Sequence, residues 1–153
     1  MVELDLADRQ ILLELQLDCK QTFESVGQKV GLSAATVHAR TKNLEKRGLI
    51  RGYGARIDAR AAGLPVLAFV SVVVENSSFC TTLAPQFEAF EEIEACHSIA
   101  GDVDLLLQIR TTTPEALEQL LYRIKQTPGV ARTRTAVVLS TRFEERAKVP
   151  PEG

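Results

Sequence analysis

The sequence predicts an α+β chain: an N-terminal helix-turn-helix unit, winged-helix-like in outline, followed by a ferredoxin-like βαββαβ unit. Three observations lead there. A basic helix between Ser33 and Gly48 follows a shorter helix across a Gly31-Leu32-Ser33 turn. From Pro65 onward the patterns run strand, helix, strand, strand, helix, strand. The strands of that second unit are apolar on both faces, as in a sheet covered on both sides.

Leu4 to Leu17 reads as the first helix, with Leu4, Ile11, Leu12 and Leu15 as its apolar residues. Asp5 and Asp8 stand at its front, where the helix dipole favours acids. Asp18 to Gln21 is a polar break. Thr22 to Val30 is a short helix, with Thr22 as cap and Phe23, Val26 and Val30 on one face. In the third helix Ser33 is a good N-cap, and Gly48 sits where a helix stops in a left-handed turn. Val37, Thr41 and Leu44 face inward at spacings of four and three. The rest is small, polar or basic: Ala35, Thr36, Ala39, Arg40, Lys42, Asn43 and Lys46. So thin a helix can enter a major groove, about 12 Å wide.

Leu49 to Ile57 reads as extended, and 58–64, Ala/Gly-rich and basic, as a linker. Pro65 to Glu75 is a β-branched strand. Leu83 to Ile93 reads as a helix with Leu83, Phe87 and Phe90 inward. Cys96 to Ala100 is a short strand, Gly101-Asp102 a turn, and Asp104 to Thr111 the returning strand. Thr113 caps a helix with Pro114 at its first position, and Leu117, Leu120, Leu121 and Ile124 form its stripe. Pro128-Gly129 ends it, and Val130 to Phe143 reads as a last long strand. The expected boundaries are therefore 1–57, a linker 58–64, 65–143, and a charged, Pro-rich tail 144–153 expected to be mobile. The helices can cover one sheet face only. Val66 to Val70, Leu105 to Leu107 and Ala136 to Leu139 leave the other face apolar too, which points to a second copy and an isologous homodimer.

Charge divides the chain as the patterns do. The net charge is −2, yet Ser33 to Arg60 holds seven basic residues against two acidic, a net of +5. From Ala61 onward the balance is eight basic to twelve acidic. The first unit therefore faces an anion, and double-stranded nucleic acid fits a basic third helix. Ser33, the helix N-terminal amides, Arg40, Lys42, Arg47 and Arg51 are the candidates for phosphate. Ala35, Thr36, Ala39, Arg40 and Asn43 are those for base edges. With no tryptophan and 5% aromatics, large aromatic pockets and base-stacking platforms are not expected.

Cys19, Cys80 and Cys96, an odd and scattered set without a signal-length apolar run before them, point to reduced thiols and a cytoplasmic location. The longest apolar run, Pro65 to Val74, is about half the roughly 20 residues a membrane helix needs. Cys96 and His97 point to opposite faces of a strand, so no metal is expected there. No nucleophile triad, phosphate loop or paired carboxylates can be read, and no cofactor is called for. Asp102 and Asp104, beside Gly101, could hold a cation such as an α-ammonium.

Several motifs in the same order resemble the Lrp/AsnC (feast/famine) transcriptional regulators over nearly the whole chain. They are Leu4-Asp5 with Asp8-Arg9-Gln10-Ile11-Leu12, Val30-Gly31-Leu32-Ser33, Arg40, Leu44-Glu45-Lys46-Arg47-Gly48-Leu49-Ile50, and Gly52-Tyr53. Cys96-His97 with Gly101-Asp102-Val103-Asp104, then Thr133-Arg134-Thr135 with Val138-Leu139, resemble that family's effector domain, often called RAM. The resemblance implies a sequence-specific DNA-binding regulator and not an enzyme. It implies dimers assembled into octamers or similar rings, and an amino-acid effector held between dimers at Gly101, Asp102 and Asp104, with Thr133 and Thr135. The chain departs from the pattern at three places. Ala34-Ala35 replaces a proline, Gly27 an alanine, and Val103 an aromatic. Siroheme decarboxylase subunits resemble the same architecture. In that alternative only His38 and His97 could serve, and the basic helix would go unexplained.

Overall fold

Each helix of the first unit begins where a short polar side chain can take up an amide that the helix leaves unpaired. The computed structural model describes residues 4–76 and 79–151, without the side chains of Phe79 and Cys80. The Cys80 thiol and the last two residues of the tail thus lie outside the described residues. Helix α1 (Leu6–Leu17) starts at Asp5, α2 (Phe23–Val30) at Thr22 and α3 (Ala34–Lys46) at Ser33. Their side-chain oxygens accept from the amides of Asp8, Ser25 and Thr36. Ile11, Leu12, Val26, Val37 and Leu44 form the core, with Leu15, Phe23 and Ile50 packed around it.

Two glycines make the α2–α3 turn possible. Gly31 ends α2 in the left-handed region, at φ 72°. Gly27 faces the turn, and a Cβ there would lie 2.4 Å from the Leu32 carbonyl oxygen. The departure from alanine at residue 27 is therefore matched by a close backbone approach.

The second unit contains β1 (Val66–Val74), α4 (Phe79–Glu88), β2 (Ile93–Ser98), β3 (Leu105–Thr111), α5 (Pro114–Gln126) and β4 (Val130–Val137). The four strands form one antiparallel sheet in the order β2-β3-β1-β4. Thr113 accepts from the Ala116 amide and caps α5. Ala68, Val70, Val72, Leu105, Leu107 and Ile109 turn to the helices and are fully buried with Leu83, Phe87, Leu120 and Ile124. By alternation, Leu67, Phe69, Leu106 and Val138 turn to the opposite face. There Arg110 donates to Glu94 at 2.7 Å.

Several expected boundaries move. The expected helix 83–93 ends at Glu88, because Ile93 enters the sheet opposite Ile109. β2 consequently starts three residues earlier than read and stops at Ser98. The last strand is shorter than 130–143. β1 begins at Val66, so beyond the bond from the Val138 amide to the Leu67 carbonyl it has nothing to pair with. Residues 51–58 form no strand. The linker is an ordered turn, with bonds from Ala62 to Asp58 and from Leu64 to Ala59. Asp58 caps it at the Ala61 amide.

The tail is held. The Gln16 side chain donates to the Lys148 carbonyl and accepts from its amide, at 2.8 and 2.9 Å. Residues 143–153 accordingly cluster with the first unit, and 57–142 form the second.

Gly27→Ala tests the close approach. Alanine is favoured by about 1 kcal/mol in a helix interior, yet crowding against Leu32 should leave the variant about 1–3 kcal/mol less stable. Urea unfolding reads this. A midpoint equal to or above that of the parent would contradict the packing described.

Candidate nucleic-acid interface and effector site

Burial of Val37, Thr41 and Leu44 fixes which side of α3 looks outward. Ala35, Thr36, Ala39, Lys42, Asn43 and Lys46 are all exposed and, at their spacing, share one face. This open face carries the residues expected to read bases, Arg40 excepted. Ser33 is exposed at the helix start. Its hydroxyl accepts from the Thr36 amide at 3.2 Å and shares a bond with the Thr36 hydroxyl at 2.8 Å. Ser33 therefore shapes the helix end, and the first amides of α3 form the anion-favouring terminus.

Arg40 is not on the open face. Its Nη1 donates to Asp5 Oδ2 at 2.6 Å and to Asp8 Oδ1 at 2.8 Å, on the flank toward α1. The hydrogen bonds it donates to Asp8 and then to Asp5 raise the guanidinium pKa above its ordinary value. Arg40, expected to point at nucleic acid, instead has its Nη1 engaged inside the unit. Arg47 lies on the same flank, 3.9 Å from Asp8 Oδ2. Arg51 is exposed beyond the helix.

Lys42 remains on the open face but is tied to Glu45 at 2.7 Å. Glu45 also accepts from the Tyr53 hydroxyl at 2.8 Å. Lys42 and then Tyr53 hold the Glu45 carboxyl below its usual range. Partial burial, and then Glu45, push the Tyr53 hydroxyl up to about 12. This small network fastens residue 53 to α3. The sequence reading did not find it, because Glu45 and Tyr53 carry no signal on their own.

At the hairpin between β2 and β3 the two aspartates separate. Asp104 is half-buried. Its carboxylate accepts from the Val74 amide at 2.8 Å, its amide donates to Val72, and its carbonyl accepts from Ile99. It braces the hairpin against β1. Asp102 is exposed at the tip, and Gly101 turns the chain there at φ 150°. Asp102, Val103 and Thr133 line a recess of about 30 Å³ with Ser71, Val73, Arg132 and Arg134. Thr135 lies two residues further along β4, opposite Val70, and does not line it. The volume is about that of one water, so the recess cannot enclose an amino acid by itself. Roomier hollows of about 490 and 750 Å³ lie in the three-helix unit, beside Leu15 and Tyr53.

His38 is exposed and packs on Phe23, with ring centroids 5.2 Å apart, while His97 is exposed on β2 in the other unit. Among the described residues, no group of three or more His, Cys, Asp or Glu side chains could hold a metal ion. No helix among them is long and apolar enough to cross a membrane.

Comparison with known proteins agrees with both halves. Residues 4–45 match the AsnC-type helix-turn-helix domain, and residues 67–148 the Lrp/AsnC ligand binding domain. The HTH-type transcriptional regulator LrpA of Mycobacterium tuberculosis is 37% identical over 96% of this chain and 97% of its own. The leucine-responsive regulatory protein of Escherichia coli K12 is 34% identical over 90% and 85% respectively. Among solved structures, the feast or famine regulatory protein of M. tuberculosis complexed with L-methionine superposes with a TM-score of 0.87. It has 36% identity over 95% of this chain and 99% of that one.

Asn43→Ala tests the open face. Its exposed amide can pair with an adenine edge, and its loss should cost about 1–3 kcal/mol of discrimination at one base-pair position. Duplexes selected from a random pool by parent and variant should differ there and nowhere else. Identical selected consensus sequences would remove Asn43 from the reading face.

Proposed function

The chain belongs to the Lrp/AsnC family of transcriptional regulators, and we propose that it holds a free amino acid at the Asp102 hairpin and changes its grip on DNA in response. DNA is bound by the helix-turn-helix unit, with the open face of α3 in the major groove. The observation that carries this reading is that face itself. Ala35, Thr36, Ala39, Lys42, Asn43 and Lys46 stand exposed together on a capped helix. Phosphates are met by the amides at the start of α3, by Lys42, and by Arg47 and Arg51 beyond it.

The effector reading rests on charge. A free amino acid carries an ammonium and a carboxylate. The recess at the hairpin offers Asp102 for the first and Arg132 and Arg134 for the second. The M. tuberculosis relative is complexed with L-methionine, a free amino acid. Gly101 gives the hairpin its turn, Asp104 braces it, and Thr133 lies on its wall, while Thr135 lies further off.

A recess the size of one water needs more walls. We assign them to a neighbouring subunit. Two chains pair through the sheet face opposite the helices, and the dimers join into an octamer or similar ring that brings hairpins together. A ligand that fits one arrangement better then shifts the assembly toward it, and so alters DNA binding. Such a regulator works in the cytoplasm on DNA, with Cys19 and Cys96 as free thiols.

A thermal screen of the 20 amino acids tests the effector. A ligand present at 100 times its Kd adds about 2.7 kcal/mol of stability, so at least one should raise the melting temperature, and Asp102→Asn should abolish the rise. The same compound should change affinity for a duplex taken from upstream of the chain's own gene. If none of the 20 shifts either quantity, the effector reading fails. If the duplex is not bound even at low salt, the regulator reading fails with it.

A further inference from the structure

We infer that Arg40 is a positioning residue of the DNA-binding unit, clamping α3 to the start of α1 through Asp8 and Asp5 and making no contact with nucleic acid. The inference rests on the DNA-binding reading above. One Asp5 carboxylate does two jobs. Its Oδ1 accepts from the Asp8 amide and starts α1, while its Oδ2 takes Arg40 from α3. Asp8 is buried, and its two oxygens face Arg40 at 2.8 Å and Arg47 at 3.9 Å. A single guanidinium thus joins the first turn of one helix to the middle of another, across 32 and 35 residues of chain.

Two physical points keep Arg40 there when DNA binds. If it swung out to a phosphate, Asp8 would lose its shorter ion pair while still buried, which is strongly unfavourable. The charge left behind would also face a polyanion. The clamp neutralises Asp8 beside the docking surface and holds α3 at one tilt. Groove recognition needs such fixing, since a binding constellation works only within about 0.5 Å and 10–20° of its productive geometry.

The test uses the full chain with Arg40→Ala, Arg40→Lys, Asp8→Asn and the Arg40→Ala/Asp8→Asn pair. Affinity is measured across a salt series for the duplex upstream of the chain's own gene and for a random duplex of equal length. We expect Arg40→Ala and Asp8→Asn each to lower the ratio of specific to random affinity by about tenfold, a loss of about 1.4 kcal/mol. The slope of log K against log salt should stay unchanged. The pair should lose no more than the worse single variant, and Arg40→Lys should recover part of the ratio.

A phosphate-contacting Arg40 gives a different pattern. Arg40→Ala then weakens both duplexes and flattens the slope by about 0.9, and Asp8→Asn tightens binding. Either result overturns the inference. Should Arg40→Ala fail to fold, Asp8→Asn and Arg40→Lys still decide it by the ratio and the slope. A parent chain that binds neither duplex would instead sink the regulator reading. The clamp would then be judged by melting temperatures: coupled losses for Arg40 and Asp8 support it, and additive losses overturn it.

Discussion

The constraint on which the rest of this structure depends is a four-stranded sheet that has helices on one side only and still carries the apolar Leu67, Phe69, Leu106 and Val138 on the other. Val70, Leu107 and Ile109 find α4 and α5 and vanish from solvent. Phe69 and Leu106, one residue out of phase, stay half-buried, and just beyond β4 the side chain of Leu139 is exposed. An apolar face of this extent marks a surface built to be covered. The proposed second copy would also account for two features of the proposed function. A regulator that reads paired half-sites needs two helix-turn-helix units on one particle. A hairpin recess the size of one water needs walls from elsewhere. Glu94, Gln108 and Arg110, joined on the same face, would with Arg132 and Arg134 of β4 supply polar elements that fix the register of such a contact.

What the sequence made legible was what short-range chemistry decides. Ser33, Thr22 and Thr113 announce three helix starts, and Pro114 reinforces the third, because a cap and its amide lie three residues apart. The stripes Val37-Thr41-Leu44 and Leu117-Leu120-Ile124 follow from helical periodicity alone. The ferredoxin-like arrangement followed from the pattern of elements, since few topologies accommodate it. The boundaries that moved were those set by pairing at a distance. Glu88 to Ile93 reads as the end of a helix, but the opposing strand at Ile109 draws Ile93 into the sheet. β4 stops opposite the point where β1 begins, which nothing within 138–143 reveals.

The candidate site was legible to the same extent. The exposed face of α3 could be read from its buried face by subtraction. Arg40 could not, because its partners Asp5 and Asp8 are 32 to 35 residues away and look, in sequence, like ordinary acids at a helix start. Asp102 and Asp104 were also indistinguishable: two carboxylates in one turn, equally suited to a cation. The fold separates them by turning one toward the Val74 amide and leaving the other at the tip. Gly27 shows the reverse. In sequence it is a weak helix residue, while in the fold it is what lets the Leu32 carbonyl come close.

The proposed covering of the open sheet face is tested most directly by the mass of the native particle. Light scattering on the protein eluting from a sizing column, at micromolar concentration, should give an even multiple of the 16.8 kDa chain, two or more copies at every dilution that leaves the chain folded. A folded particle of one chain mass would mean that the sheet tolerates water on its open side. Pairing, the shared recess and the two-headed grip on DNA would then all lose their foundation.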